Sequence, residues 1–526
     1  MGGEPSRMER ADSDDLNGFD VQSLEALRNV ENDLFSAKSS LLKEVLDFYI
    51  DFDIKNNTEL SDKEKEEKQK AVRDEFKQNS TTIIQHIIDR IEVGKEQILN
   101  YASNTGASFN NAKPDFNGNI NEQDLYSALR IIVKYETGID LPISYNGLGY
   151  NNLIYISLLL AKIQADTDIK RMGENAVIYP ILIIEEPEAH LHPSMQYKFL
   201  SFLKNHQTNK VRQIFVSTHS PQIAAAVSLK EIICVERDKM EKIHIAYPFR
   251  TFPDTDEGRK SYKYVQRFLD ATRCDMLFAD KVIFVEGIAE QLLLNVLAKY
   301  DDKSLINNHV CIVNVGGRYF EHFLKMFDTV QSQYALNKKV LCLTDIDPMR
   351  RRTGTAYFSS CYPFEIANQE EYEYAYNPFV GEYSQFNEVP NILISSQKKG
   401  SGKTFEYDLI LHNPKCKLLI VDGMANYDTL IELMECTNYE DASKIFNANS
   451  KWRQRILESL SKSHLSDEDK ITNLLASLYL QSIKKGEHAL ELSNILEDNL
   501  EQKHGVNYHN FIVPSYIKNG LEWLLR

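Results

Sequence analysis

Two short acidic clusters, each closing an apolar run, carry the clearest chemistry in this chain of 526 residues. In Lys281-Val-Ile-Phe-Val-Glu286-Gly-Ile-Ala-Glu290 the apolar run reads as a buried strand that stops at Gly287. The spacing of Leu292, Leu293, Leu294 and Val296 then predicts a helix, so Glu286 stands at the strand tip and Glu290 in the first helical turn. In Val340-Leu-Cys-Leu-Thr-Asp345-Ile-Asp347-Pro348 the two aspartates are two apart on a chain that reads as extended. That spacing predicts that they face one side, with Pro348 closing the strand. Carboxylates gathered at the carboxyl ends of parallel strands suit a hard divalent cation such as Mg²⁺. A pair of such ions can stabilise both the attacking and the leaving oxygen of a phosphodiester. Acidic residues also begin helices merely because the helix dipole favours them there, and either cluster alone fits that reading as well. Both together, in this order after two strands, favour the metal site. Between them Val313-Asn-Val-Gly316-Gly317-Arg-Tyr-Phe320 reads as a further strand and a double-glycine turn, a βαβ step.

The spacing Val-Glu-Gly-x-x-Glu followed by Asp-x-Asp-Pro resembles the Toprim domain of topoisomerases, primases and certain nucleases. A second set of motifs lies upstream. Ile181-Leu-Ile-Ile-Glu185-Glu186-Pro-Glu188-Ala-His-Leu-His192-Pro193 resembles the Walker B strand and D-loop of an ABC-type ATPase, and Ile214-Phe-Val-Ser-Thr218-His219-Ser220-Pro221 its switch-histidine strand. Ser144-Tyr-Asn-Gly147-Leu-Gly149-Tyr-Asn-Asn152, running into the apolar helix Leu153 to Leu160, resembles its signature loop. The residue types fit the chemistry of such ATPases. Glu185 and Glu186 would hold Mg²⁺ and polarise water, His219 would sense the γ-phosphate, and Ser144, Gly147 and Gly149 would cap a partner subunit's nucleotide. Taken singly, His190 and His192 also read as metal ligands and His219 as a hydrogen-bonded core residue.

An ABC-type half followed by a Toprim half resembles the overcoming-lysogenisation-defect (OLD) family nucleases, which include the nuclease subunit of Gabija-type phage defence. The resemblance extends to Phe268–Ala279 as the bridge into Toprim, to Lys403-Thr404-Phe-Glu406-Tyr-Asp-Leu409 as a second metal-ligand segment, to Lys485-Gly486-Glu-His-Ala489-Leu490 as a late lysine motif, and to Val513-Pro514-Ser-Tyr516-Ile517 as a closing helix. It implies Glu286, Glu290, Asp345, Asp347 and Glu406 as metal ligands or supporting acids, with Thr404 a hydroxyl at the site. Lys485 would be the cation facing the scissile phosphate, with Lys484 as its competitor. The catalytic set is then Glu286, Asp345, Asp347 and Lys485, served by two Mg²⁺ or Mn²⁺ ions.

A phosphate-binding loop of the form Gly-x-x-x-x-Gly-Lys-Ser/Thr does not occur. Gly402-Lys403-Thr404 has Gln397 where the first glycine belongs and lies in the Toprim half, so it reads as a decoy. The expectation is a partial ABC-type domain, the product of a truncated or split gene, that binds ATP poorly, does not hydrolyse it, and cuts DNA independently of nucleotide.

Several elements must hold these residues in place. Leu27, Leu34, Leu41 and Phe48 recur every seven residues. A second helix starts at the capping box Ser61-Asp-Lys-Glu64 and runs through Val72, Phe76, Ile84, Ile87 and Ile91. The pair reads either as an antiparallel arm for dimer contacts or as packing within the ATPase half. Residues 1–20 read as a disordered N-terminus and 21–250 as the ATPase half, with the arm at about 21–100 and a polar loop at 104–121. Residues 251–270 read as a junction, 271–425 as Toprim, and 426–526 as a helical part completing the nuclease site. The segment 354–392, dense in Tyr, Phe and Glu, reads as an insertion of unassigned role.

The net charge of −16 excludes broad electrostatic coating of DNA, leaving local basic patches such as Arg350-Arg351-Arg352 and Lys398-Lys399, or else solvated loops. Seven scattered cysteines and the lack of a membrane-length apolar run or leader point to the cytoplasm, without a zinc site.

The fold expected is α/β: a partial ABC-type ATPase with a helical arm, a Rossmann-like parallel Toprim sheet, and C-terminal helices. The function expected is a metal-dependent DNA endonuclease in phage defence, a homo-oligomer with DNA as partner, no membrane, and room for a helicase partner. The alternatives are a repair-type ATPase with a non-catalytic Toprim module, and a topoisomerase-like strand transferase, which would need a nucleophilic tyrosine.

Overall fold

The structure, a computed structural model, describes residues 16, 18–26, 41–102, 104, 115–126, 129, 131–172, 176–207, 212–237, 241–269, 271–366, 371–381, 386–447, 449–503 and 505–526. The chain divides into two compact units, Met1–Ile223 and Ala224–Arg526.

In the first unit β1 (Phe19–Leu24), β2 (Tyr179–Glu185) and β3 (Gln213–Ser217) form a parallel sheet in that order. Leu182 and Ile184 point into the core from one face of β2, while Ile181 and Ile183 on the other are half-buried. Strand β1 departs from the expected disordered start and helical arm. Its period-two pattern runs the wrong way round for a sequence reading, with Phe19 and Val21 exposed and Asp20 and Gln22 on the inner side, hydrogen-bonded to each other at 2.8 Å.

Helix α1 (Leu41–Tyr49) buries Leu41, Leu42, Val45 and Phe48, the period expected of the arm; Leu27 and Leu34 lie outside the described residues. Helix α2 (Asp62–Arg90) opens with the expected capping box. Ser61 N–H donates to Glu64 Oε2 at 2.8 Å, and Glu64 N–H donates to Ser61 Oγ at 3.4 Å. Of its expected apolar row Val72, Ile87 and Ile91 are exposed, while Phe76 and Ile84 are half-buried. Helix α3 (Leu148–Asp166) packs against α1, where Lys162 Nζ donates to Glu44 at 2.5 Å. Thus the first arm helix is bound into the unit, and the second stands largely in solvent.

The second unit contains β4 (Lys281–Val285), β5 (Val310–Asn314), β6 (Lys339–Leu343), β7 (Met349–Arg352), β8 (Ser359–Ser360), β9 (Tyr372–Ala375) and β10 (Ile392–Ser395). The parallel sheet runs β10-β6-β4-β5. Val282–Val285 and Val340–Leu343 are buried on both faces, the continuous apolar run that a parallel sheet covered on both sides requires. Val282, Phe284, Val340 and Cys342 meet Phe320, Phe323 and Phe327 on one face. Ile283, Val285, Leu341 and Leu343 meet α4 (Ile288–Tyr300) and the C-terminal helices on the other.

Those helices are α5 (Phe405–His412), α6 (Lys451–Ser461), α7 (Asp467–Ser482), α8 (Glu487–Glu501) and α9 (Ser515–Leu525). Helix α8 packs on α4, α7 on α5, and α9 on β6. A Cβ at Gly520 would stand 2.9 Å from Leu341 Cδ1, so the bare glycine sets the approach of α9 to the sheet. The expected insertion builds an antiparallel sheet β8-β7-β9 with the strand that follows the Asp-x-Asp cluster.

The division at Ile223 precedes the expected junction at 251–270. Residues 224–250 join the second unit through contacts such as His244 Nε2 with Ala335 O at 3.2 Å and Tyr247 N–H to Tyr334 O at 2.9 Å. Among the described residues no helix is long and apolar enough to cross a membrane.

Candidate metal centre

Strand register places the first two acids. Val285 pairs with Leu343, which pairs in turn with Ser395, so the tips of β4, β6 and β10 are level. The next residues, Glu286 and Thr344, therefore stand side by side. Glu286 Oε1 accepts from the Thr344 hydroxyl and from Asp345 N–H at 3.1 Å. Asp345 is buried, and its Oδ1 accepts from Gln397 Nε2 and from Phe405 N–H, each at 2.8 Å. Burial, then the like charges of Glu406, Glu290, Glu286 and Asp347, push the Asp345 carboxyl well above its ordinary range. Burial also raises Glu286. These acids share one electrostatic neighbourhood.

Glu290 lies in the first turn of α4 and is buried; desolvation, with Glu406 and Glu286 nearby, pushes it up to about 7. Thr404 caps α5, accepting from Tyr407 N–H at 3.4 Å, which sets Glu406 in the first turn. Glu406 is 1% exposed, and its Oε2 is buried without a hydrogen-bond partner. Lys485 Nζ lies 3.0 Å from Glu406 Oε1 as a charge partner. Burial pulls the lysine's pKa down, but Glu406, with Asp345 and Glu290 behind it, more than offsets that and holds it above its ordinary value. Lys484 instead pairs at the surface with Glu487 at 3.0 Å, so Lys485 is the lysine that reaches the acids.

Asp347 corrects the expected geometry. Its φ of 40° is left-handed rather than extended, and its N–H turns back to Lys403 O at 3.1 Å. Asp345 consequently points into the core, while Asp347 stays partly exposed with Arg318 Nη2 at 3.6 Å. Aspartate tolerates this region better than bulky residues do.

Among the described residues no group of three or more His, Cys, Asp or Glu side chains forms a ready-made metal cage. Like charges repel, and three of the acids are turned onto protein groups: Glu286 on Thr344, Asp345 on Gln397 and Glu406 on Lys485. The donor set nevertheless fits a hard divalent cation. It is all oxygen, and the Oε2 of buried Glu406 has no hydrogen-bond partner.

Elsewhere the sequence-predicted residues fall into place unevenly. Glu185 ends β2, and Glu186, at φ 43°, lies 3.5 Å from His219 Nε2. Gly147 caps α3, and a Cβ at Gly149 would sit 2.2 Å from His190 O, so the signature-like helix presses on the turn after β2. Ser144 lies in the short turn of helix Ile143–Tyr145 before it. Arg350 is held by Glu365 at 3.1 Å over the Tyr372 ring, and Arg351 by Glu373 at 2.5 Å, which leaves Arg352 as the exposed member of the basic run. Lys403 is buried, donating to Ser360 Oγ at 2.7 Å and Cys361 O at 2.8 Å. The Gly-Lys-Thr lysine is thus committed to protein oxygens.

Residues 12–224 match the family model of an AAA ATPase domain, and residues 277–347 match that of the overcoming lysogenization defect protein-like TOPRIM domain. The chain carries an AAA-type ATPase domain and an OLD-like Toprim domain. It is 28% identical to the OLD nuclease of Thermus scotoductus over 198 residues, 37% of this chain and 34% of that protein. It is 21% identical to the endonuclease GajA of Bacillus cereus (strain HuB5-5) over 434 residues, 75% of this chain and 56% of the relative. The chain therefore spans between about a third and somewhat over half of the length of these relatives. Among solved structures, the C-terminal region of the Burkholderia pseudomallei OLD protein aligns with 47% of this chain and 98% of its own, at 18% identity and a TM-score of 0.24.

Sequence reasoning missed several residues around the OLD-like Toprim cluster and one between the ATPase-like strands. Thr344 and Glu188 lay inside motifs already quoted, without a role; Glu188 Oε1 accepts from the Thr218 hydroxyl and from His219 N–H at 2.9 Å, tying the two ATPase-like strands together. Asp408 sat in the second ligand segment, and burial pushes it up to about 7. Asn377 and Gln397 carried no signal, because a buried amide has no distinctive spacing.

The raised acid has a measurable consequence. A carboxyl whose folded-state pKa exceeds its unfolded value stabilises the fold fully below the unfolded value and loses that contribution as pH rises through the folded one. For Glu290 the window runs from the ordinary 4.5 to about 7. In chelator, Glu290→Gln should gain melting temperature relative to wild type as pH climbs through this window. Mg²⁺ should close the gap by stabilising wild type at neutral pH. Parallel melting curves at every pH would contradict a shared, repelling acid cluster.

Proposed function

We propose that the second unit is a divalent-cation-dependent DNA endonuclease that hydrolyses phosphodiesters with two Mg²⁺ or Mn²⁺ ions. The observation that carries this reading is the set of level strand tips, which gathers Glu286 and Asp345 into one electrostatic neighbourhood with Glu290 and with Glu406, whose buried Oε2 has no hydrogen-bond partner. The similarity to an OLD nuclease and to the endonuclease GajA supports the same reaction class. Glu286, Asp345, Glu290 and Glu406 would hold the ions, with Asp347 at the rim and Thr404 setting α5. Bound divalent ions would supply an activated water and neutralise charge on the leaving oxygen. The chain's own part is to fix the acids by Thr344, Gln397 and the Phe405 N–H, and to bring the Lys485 ammonium to where negative charge develops.

A tyrosine nucleophile is less well supported. Tyr516 is buried beside the cluster, and burial with Asp345, Asp408 and Glu290 pushes its hydroxyl well up, keeping it a neutral hydrogen-bonding group. We assign the ATPase-like unit a regulatory role, the exposed apolar residues of α2 to contact between copies, and the whole to phage defence in the cytoplasm. Supercoiled plasmid incubated with Mg²⁺ or Mn²⁺ tests the reaction. Nicks or breaks with free ends are expected. Protein-linked ends would favour a strand transferase, and uncut plasmid a binding module.

A further inference from the structure

Two buried side-chain amides hold the loop that carries Asp345, and the partners of each fix which atom donates. Gln397 is 2% exposed. Its Oε1 accepts from Ile346 N–H at 2.8 Å, so its Nε2 must be the group 2.8 Å from Asp345 Oδ1. Asn377 is 1% exposed. Its Oδ1 accepts from Phe379 N–H at 3.1 Å, and its Nδ2 donates to Asp345 O at 2.7 Å and Thr344 Oγ1 at 2.9 Å. A hydroxyl has one hydrogen. With its oxygen already accepting from Asn377, Thr344 has that hydrogen free for Glu286 Oε1, the contact observed.

The backbone reinforces both anchors. Asn377 N–H donates to Ile346 O at 2.9 Å, so the loop carrying Asp345 is gripped by its backbone and both neighbouring side chains. Gly402 permits the approach of Gln397: a Cβ there would lie 2.2 Å from Gln397 Cβ. That accounts for the glycine of the Gly-Lys-Thr triplet without any phosphate.

We propose that Gln397 and Asn377 are positioning residues for the metal ligands. Gln397 aims Asp345 directly. Asn377 sets the donor direction of Thr344 and through it aims Glu286, which gives the insertion at 354–392 its role: it supplies the amide that orients a ligand on the neighbouring strand tip. The proposal rests on the metal-site reading above. Buried hydrogen-bond partners of ligands are worth about 10–100-fold in metal affinity or activity, because an unaimed carboxylate must be ordered again at each binding event.

Asn377→Asp keeps the acceptor for Phe379 N–H and removes the donor, so the Thr344 hydroxyl is drawn away from Glu286. Gln397→Met keeps length and removes the hydrogen bonds to Asp345 and Ile346, together with that to the Tyr516 hydroxyl. Calorimetric titration of Mn²⁺ into the full chain should show affinity about 10–100-fold weaker for each, with a single cooperative melt in chelator showing that each is folded and with saturating Mn²⁺ restoring much of the cleavage. Thr344→Val, nearly identical in shape, should reproduce the Asn377→Asp loss and decides that branch if the aspartate does not fold. Wild-type Mn²⁺ affinity in folded Gln397→Met and Thr344→Val would overturn the proposal. Glu286→Gln separates the two levels: if it binds Mn²⁺ as wild type does, or wild type binds none, the metal reading itself fails and takes the proposal with it.

Discussion

Asp345→Asn should leave a folded protein that no longer cuts DNA. The asparagine oxygen can still accept from Gln397 Nε2 and Phe405 N–H, now at 2.8 Å from Oδ1, so the loop stays satisfied while the charge disappears. The loss should exceed the roughly 10–100-fold attached to a residue that merely orients a ligand, because here the proposed ligand itself loses its charge. Glu286→Ala and Asp347→Ala should follow, Asp347→Ala least, since Asp347 turns away from the buried acids and faces Arg318. The metal-free melt should not fall for Asp345→Asn, because removing one of several repelling buried acids offsets the lost charge-assisted hydrogen bonds. Plasmid cleavage under matched Mg²⁺, with melting as the folding control, decides it. Near-wild-type nicking by Asp345→Asn would remove Asp345 from the site.

Lys485→Met should lower kcat much more than it weakens Mn²⁺ binding, while Lys484→Met changes neither. The two lysines are adjacent in sequence, yet only one approaches Glu406, at 3.0 Å, while the other pairs with surface Glu487. A cation placed where charge develops acts on the transition state; loss of a preorganised group of this kind costs about 10²–10³-fold in kcat. Removing Lys485 also strips Glu406 of its charge partner. The stability lost should stay below the roughly 3–5 kcal/mol of a fully buried pair, because more than half of the lysine side chain is exposed. Bound Mn²⁺ should recover that stability. Single-turnover rates and Mn²⁺ titrations on both variants separate the effects, and equal losses from the two lysines would mean that general surface charge is responsible.

The acid-bearing strand tips were legible because parallel strands covered on both faces leave an unbroken apolar run, as in Val282–Val285 and Val340–Leu343, and whatever polar residue ends the run stands at the tip. The capping box at Ser61 was equally readable, being a local exchange of hydrogen bonds. Strand β1 was not, since Asp20 and Gln22 face inward and satisfy each other while Phe19 and Val21 face out. The turn at Asp347 escaped because a positive φ leaves no trace at a residue type that also occupies strands. Asn377 and Gln397 were hidden for a third reason. Their work depends on contacts 32 and 52 residues away along the chain, and such pairing is a property of the fold rather than of any local spacing.

Diffraction from crystals soaked in Mn²⁺, with anomalous differences recorded near the manganese edge, tests the central claim most directly. Metal peaks should lie among Glu286, Glu290, Asp345 and Glu406, with Glu406 drawn away from Lys485 and the Asp345 bond to Gln397 retained. Peaks confined to other acidic surfaces, with Glu406 still paired to Lys485 at saturating Mn²⁺, would contradict a metal-dependent nuclease site here.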